Sequence, residues 1–327
     1  MSWAPADPTG RYLYGTGIGM TQALTLASTR RAASSAAKRR IDLRPAAFLA
    51  PFVLLMAVFT YWPLVEIVYL SFFKLNRYGP DPFVGMSNFI GVLDNTQFHD
   101  AVYNSLIYIF VSIPLKVLLP IPLAVFIWTI GPKLGNFYKT VLFLPTLLSF
   151  VVVSIVWIWM LNPVMGLFQS VIRPLGLQMP TLLSDTTTAI YVIIGVGAWK
   201  LIGFNVLLYL AGLSAINRDY VEAMRLDGAG DGTVMRRLVL PLLSPTIFFV
   251  SISTVVFTIQ QVFTPIDVMT QGGPLNATTN LFYIVYQYMF ESFNVGYSAA
   301  GALIIFVLLG FITAVKVLWL EKRVHYS

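Results

Sequence analysis

Residues 195–241 read GVGAWKLIGFNVLLYLAGLSAINRDYVEAMRLDGAGDGTVMRRLVLP. The first half is an apolar run interrupted by one charge, Lys200. The second half is an island of both signs, with glycines at 228, 230 and 232, before Leu240-Pro241 opens another apolar run. A helical crossing of a hydrocarbon core about 30 Å thick takes about 20 mostly apolar residues. The stretch therefore predicts a span, a surface segment and a second span. Working outward, the same test finds six candidates: Ala46–Phe73, Tyr103–Ile130, Phe137–Leu161, Ala189–Ser214, Leu238–Thr264 and Tyr297–Leu320. Barrel strands would alternate over segments of about 10 residues, so these longer runs predict an all-α, polytopic membrane protein with six transmembrane helices.

The composition agrees: of 327 residues 57% are hydrophobic and 11% charged, against roughly 25% charged in soluble domains. Without cysteine the chain has neither a disulfide framework nor a thiolate metal site. Its two histidines, His99 and His325, are far apart and have no ligand cluster around them.

The net charge of +7 follows from membrane orientation, because cytoplasmic flanks retain Lys and Arg, and it implies no nucleic-acid role. With the amino terminus inside, the inner side holds Arg11, Arg30, Arg31, Lys38, Arg39, Arg40, Arg44, Lys133, Lys139, Arg218, Arg225, Arg236, Arg237, Lys322 and Arg323. The outer side holds Lys74, Arg77 and Arg173, while Lys116, Lys200 and Lys316 fall within spans. Both termini are thus expected in the cytoplasm. Residues 1–44 predict a mobile basic tail and residues 45–327 the membrane domain. The run from Ala46 is too long for a signal-peptide core and no small-residue cleavage site precedes Tyr61-Trp62-Pro63, so it reads as a retained first span. The outer loops carry turn formers such as Tyr78-Gly-Pro-Asp-Pro82 and Gly272-Gly-Pro274. The apolar segment Leu281–Phe290 is too short to cross and is expected in or near the interface.

Within the island, Arg218–Leu226 lacks proline and glycine and predicts a short helix, with Tyr220, Ala223, Met224 and Leu226 as an apolar patch beside Glu222 and Arg225. The glycines that follow predict a sharp turn, which Asp227 would cap or brace. Leu240-Pro241 then restarts a helix. A nucleotide loop is excluded, because neither GxGxxG nor GxxxxGK[ST] spacing occurs.

These residues carry a family resemblance. The island resembles the EAA loop of permease subunits in bacterial ABC importers, EAAxxDGAxxxxxFxxIxLPxxxP, with Glu222, Ala223, Asp227, Gly228, Ala229, Leu240, Pro241 and Pro245 at the required spacing. Met224, Met235 and Leu238 depart from it but keep compact or apolar side chains. Ala198–Ile216, Gly272-Gly-Pro274 with Asn276–Thr279, Phe83–Phe89 and Trp62-Pro63 are similar to importers of the maltose-permease group. Trp199-Lys200, Gly272–Thr279 and Glu321–Tyr326 most resemble the first permease of glycerol-3-phosphate and glycerophosphodiester importers.

The resemblance implies a type I ABC importer permease with no catalytic residue, cofactor or metal of its own. The expected partners are a second related permease, two ATPase subunits holding ATP and Mg, and an extracytoplasmic binding protein. Glu222, Ala223, Arg225, Asp227 and Gly228 would form the ATPase-coupling site. The substrate would be glycerol 3-phosphate or a glycerophosphodiester such as glycerophosphocholine, with a neutral mono- or oligosaccharide as the alternative.

For the substrate pathway the candidates are Trp199, Lys200, Phe204, Asn205, Gln260 and Gln261. A charge inside the membrane is expected to face water or a partner, so Lys200 reads either as an anion or hydroxyl contact or as an ion pair with Glu66 or another subunit. Aromatic rings beside polar groups suit a polyol or sugar, and the resemblance places the matching region of this span against the sugar. Gln260 and Gln261 serve either the site or helix-to-helix hydrogen bonds. Pro114, Pro120 and Pro122 predict a bend in the second span, as a hinge or a fixed kink. A secondary transporter would show midplane acidic residues, of which only Glu66 is present, and a membrane enzyme would need a cluster of His, Asp or Glu that this sequence lacks.

Overall fold

The computed structural model describes residues 44–75 and 82–320. The expected basic tail, Arg77, most of the Tyr78–Pro82 turn and Glu321–Tyr326 lie outside the described residues, as do the side chains of 44–47 and 316–320. Nearly all of the described chain outside the connecting loops is helical, and its one extended pairing is an isolated antiparallel bridge between Phe73 and Phe83.

Contacts divide the chain between Tyr61 and Trp62. The first unit carries helix Arg44–Met56 and a wide π-type turn, Ala57–Tyr61. In the second unit, Trp62–Ser71 is helical, and Asn88 on a short helix donates from Nδ2 to the carbonyls of Ser71 at 2.8 Å and Phe73 at 3.0 Å.

By length and apolar composition five helices can cross a membrane. They are α1 (Phe48–Ser71), α2 (Thr96–Thr129), α5 (Ala189–Ser214), α7 (Asp231–Met269) and α9 (Val295–Leu320). Between α2 and α5 lie α3 (Pro132–Phe143) and α4 (Phe150–Met160); α6 (Arg218–Leu226) and α8 (Leu281–Tyr286) follow α5 and α7.

The expected third span, Phe137–Leu161, needs correction: α3 with its 3₁₀ extension to Leu147 meets α4 at 98°. Hydropathy averages over the cause. Pro145 removes a backbone donor, Leu148 and Ser149 are extended, and Ser149 Oγ then accepts from Val152 N at 3.2 Å to cap a new helix. Five helices cross by this test, and the bent pair, taken as one span, makes the expected six.

The other spans begin and end for local reasons. Asn95 Oδ1 accepts from Gln97 N at 2.8 Å, so α2 starts at Thr96, earlier than the expected Tyr103. α2 then widens into a π-type turn over Pro114–Leu118 and resumes at Pro120. α7 starts at Asp231 and passes through another π-type turn, Met235–Val239, before the regular helix from Leu240, so Pro241 follows a loosened turn in place of a fresh start.

α5 is the central rod, with over half of its apolar window buried. It packs on α2, α3 and α7, and its near-uniform hydrophobicity suits a helix covered on several sides. A core cluster joins Val117 and Ala124 of α2, Val206, Tyr209 and Leu213 of α5, and Val239, Leu243 and Val250 of α7, and it reaches Val221 of α6. α8 turns Leu281, Tyr283 and Ile284 inward against α2 and α9, which explains how so short an apolar segment is satisfied without crossing.

Candidate functional site

The elbow between α5 and α7 is built from α6 outward. Asn217 Oδ1 accepts from Asp219 N at 3.0 Å and starts the helix. Val221 is 7% exposed and Met224 packs beside it against the core cluster. Burying a side chain of this size is worth about 1.5–3 kcal/mol, so α6 is keyed to the core cluster that α5 and α7 share. The expected apolar patch divides accordingly. Met224 joins Val221 at i, i+3 on the inner side, whereas Tyr220, Ala223 and Leu226 are exposed.

Glu222, Arg225, Asp227 and Gly228 lie on the exposed side too. The turn itself is a Schellman motif: Gly228 N donates to Arg225 O and Ala229 N to Met224 O, both at 3.0 Å. Gly228 has φ +81°, a conformation that costs a residue with a side chain about 1–2 kcal/mol. The bracing expected of Asp227 falls to another pair. Asp227 is at the C-cap, where the orphaned groups are carbonyls that a carboxylate cannot satisfy. The brace is Arg225 Nη2 to Asp231 Oδ1, at 2.8 Å across the elbow.

The six pathway candidates separate into three environments. Lys200 is 5% exposed, and its ammonium donates to Thr146 O at 3.1 Å while lying 4.5 Å from the centre of the Phe150 ring. Thr146 Oγ1 donates back to Lys200 O at 2.8 Å. Lys200 thus sits at the break between α3 and α4, where a Cβ at Gly203 would collide with the Leu142 carbonyl. Glu66, the expected alternative partner, is exposed and takes no part in this contact.

Trp199 and Phe204 are 43% and 45% exposed, and Trp199 meets Trp157 edge-on at 5.6 Å. Gln260 on α7 is exposed as well, with Gln261 half-buried beside it. Asn205 is buried and donates from Nδ2 to Lys116 O at 2.7 Å. The i, i+4 face expected to join Lys200 and Phe204 is therefore divided between a covered and an uncovered environment.

Lys116 is the residue that sequence reasoning passed over. It is 2% exposed, its Nζ donates to Thr258 Oγ1 at 3.3 Å, and it lies 4.0 Å from where a Cβ of Gly197 would stand. It therefore joins α2, α5 and α7. The signal was the pair of prolines around it: Pro120 has no N–H to offer the Lys116 carbonyl, and the Asn205 amide on the facing helix supplies the missing donor.

Beyond the far end of α7 the loop 270–280 is knitted inward. Asn104 Nδ2 donates to the carbonyls of Asn276 at 2.9 Å and Thr279 at 3.0 Å, and Tyr108 Oη donates to Thr278 O at 3.0 Å. Asn280 Nδ2 donates to Ile259 O at 2.7 Å. Tyr283 Oη donates to Asp267 Oδ1 at 3.4 Å, and burial, with the Asp267 charge beside it, pushes that phenol up. Among the described residues no three His, Cys, Asp or Glu side chains gather closely enough to hold a metal ion.

Comparison with known proteins gives this arrangement a family. Residues 87–326 match the family described as the binding-protein-dependent transport system inner membrane component. The chain is 33% identical over 287 residues to the sn-glycerol-3-phosphate transport system permease protein UgpA of Agrobacterium fabrum, and equally to that of Brucella suis, covering 86% of this chain and 96% of each relative. It is 30% identical over 284 residues to the protein of the same name from Pectobacterium atrosepticum. A chain from the crystal structure of a bacterial alginate ABC transporter, in complex with an alginate pentasaccharide-bound periplasmic protein, superposes with a TM-score of 0.78 at 21% identity, over 88% of this chain and 96% of that one. This last likeness shows a shared fold. The chain belongs to the binding-protein-dependent transport system inner membrane components, as a multi-pass permease subunit of an ABC importer.

Proposed function

We propose that this subunit translocates glycerol 3-phosphate or a glycerophosphodiester such as glycerophosphocholine across the bacterial plasma membrane. It would work with a second related permease, two ATPase subunits that hold ATP and Mg, and an extracytoplasmic binding protein, with both termini in the cytoplasm. The observation that carries the substrate is the identity of 33%, over 86% of the chain, to permeases named for sn-glycerol 3-phosphate.

The mechanism is a coupling free energy between two sites. ATP-driven closure of the partner is felt at the exposed face of α6, where Glu222, Ala223, Arg225, Asp227 and Gly228 stand. The keyed side chains Val221 and Met224 carry the displacement into α5 and α7, which hold Trp199, Lys200, Phe204, Asn205, Gln260 and Gln261. The chain's share is mechanical and electrostatic, and phosphoryl transfer belongs to the ATPase. Lys200 is the proposed anion contact: a rearrangement at the α3–α4 break would release its ammonium from Thr146 to a phosphate.

The test is uptake of radiolabelled glycerol 3-phosphate into proteoliposomes holding the assembled transporter, with binding protein and ATP supplied. Uptake that needs both, and that unlabelled maltose does not inhibit, supports the reading; uptake of a neutral sugar in its place overturns it. Lys200→Ala should lower uptake of the anion by about tenfold, the worth of one charge-assisted hydrogen bond of about 1.5 kcal/mol. Stimulated ATPase should change by less, and equal losses for charged and neutral substrates would remove Lys200 from the anion site.

A further inference from the structure

At the elbow end of the second unit, a cavity of about 350 Å³ lies between the last turn of α2, the first turns of α3 and the last turn of α5. Lys139, Arg218, Asn136 and Trp128 give it a polar rim, and Ile127 and Leu210 an apolar floor. No Asp or Glu lines it; Glu222 belongs to a neighbouring cavity of about 210 Å³ that shares Trp128 and Arg218. Neither rim cation has a carboxylate partner, since the ion pair among the described residues is Arg225 with Asp231. Lys139 Nζ lies 3.5 Å from Asn136 Oδ1, and the Arg218 guanidinium is held 5.9 Å from the Trp128 ring centre. That contact is a cation–π approach at the outer limit of its range, and it leaves the guanidinium N–H groups without a carboxylate acceptor.

A point charge, a guanidinium fork and an amide converging without an opposing carboxylate are suited to a phosphate group. The floor narrows the choice. A free phosphate has no use for Ile127 and Leu210, whereas a phospholipid places its phosphate beside an apolar glycerol-ester region, and the cavity lies where the apolar helix α2 ends at Thr129 and α3 begins at Pro132. We propose that this cavity binds the headgroup phosphate of an anionic phospholipid, with Lys139 and Arg218 as its charge contacts. Because Arg218 is the first residue of α6, a lipid seated here also holds the start of the coupling helix.

The full chain, purified with its co-assembled subunits, would be placed in nanodiscs of phosphatidylcholine containing phosphatidylglycerol, and retained lipid read by native mass spectrometry. Wild type should retain phosphatidylglycerol preferentially, and Lys139→Gln or Arg218→Gln should each weaken retention about fivefold, the share of one cation near a lipid surface. Lys133→Gln is the control, because Lys133 is exposed at the same end but does not line the cavity; its retention should match wild type. Unchanged retention in both rim variants, or an equal loss in Lys133→Gln, overturns the site. Displacement of phosphatidylglycerol by millimolar inorganic phosphate overturns the lipid assignment in favour of a free anion. Should Arg218→Gln fail to assemble, Lys139→Gln carries the test alone, since it stands on a separate helix.

Discussion

Two glycine-bearing turns flank α7, one before Asp231 and one after Met269, and they are built in opposite ways. The loop 270–280 spends its polar groups on its own chain. Thr278, Thr279 and Asn280 are fully buried, and carbonyls 276, 278 and 279 each accept from Asn104 or Tyr108. The elbow keeps its chemistry outward, with Glu222, Asp227 and Gly228 exposed and one ion pair as its internal tie. Both turns contain a glycine at positive φ, Gly272 at +80° and Gly228 at +81°. A glycine at positive φ therefore does not by itself separate them, although the loop 270–280 adds Gln271, Leu275 and Asn276 at positive φ. What separates them is where the side chains find partners: a saturated turn fixes helices relative to one another, and an unsaturated one is left to engage another molecule.

The comparison breaks if the loop 270–280 tolerates loss of its clamp. Asn104→Leu strands the buried Thr279 carbonyl, at a cost of about 1–3 kcal/mol, and removes one bond worth about 1 kcal/mol from the Asn276 carbonyl, which keeps Thr279 N at 3.1 Å. The purified transporter should therefore lose up to about 4 kcal/mol of stability while correctly folded copies transport normally. A thermal or denaturant melt beside uptake per folded molecule checks this. Unchanged stability would show that the loop does not fix the helices relative to one another. Next in size is Gly228→Pro. Proline cannot reach the observed positive φ and removes the donor to Arg225 O. A penalty of about 3 kcal/mol confined to the elbow predicts a fall in uptake of about a hundredfold, with ATP hydrolysis persisting and the melt little changed. Normal uptake would remove the docking assignment for α6.

The sequence made these two turns legible to different degrees. The elbow was readable because its signals are local: a breaker-free run, then alternating glycines, then Leu240-Pro241. The limits of α5 were readable for the same reason, since Ala189–Ser214 is apolar but for Lys200, Asn205 and the closing Ser214 and appears at those bounds. The clamp on the loop 270–280 depends on Asn104 and Tyr108, which are local to another span and carry no mark of their distant partners. The same limit decided between the lysines. Hydropathy counts Lys116 and Lys200 alike, and only the packing of α2, α5 and α7 makes Lys116 the more deeply covered. The bend at Pro145 was visible as a residue, but its 98° angle required the extended pair Leu148-Ser149.

A smaller effect sharpens the comparison from inside the membrane. Asn205 was expected in the substrate pathway, yet its amide is engaged by the Lys116 carbonyl. Asn205→Leu should cost about 2 kcal/mol of stability by leaving that carbonyl unpaired. Uptake measured at saturating substrate per folded molecule separates the two roles: a change in stability alone makes Asn205 part of the α2 bend, and a raised KM at unchanged stability returns it to the substrate.

The smallest expected effect tests the elbow's only internal ion pair. Arg225 and Asp231 meet at 2.8 Å, but their side chains are 56% and 85% exposed, and water and salt screen such a pair to about 0.2–1 kcal/mol. A double-mutant cycle with Arg225→Met and Asp231→Asn should therefore find a coupling energy below about 1 kcal/mol in stability. The informative comparison is the same cycle run on uptake. If Arg225 serves only as the brace, the two single variants and the double variant lose the same fraction of uptake, because each removes the one bond. If Arg225 also contacts the ATPase, Arg225→Met loses more than Asp231→Asn, since releasing the guanidinium from Asp231 leaves it free for the partner whereas deleting it does not.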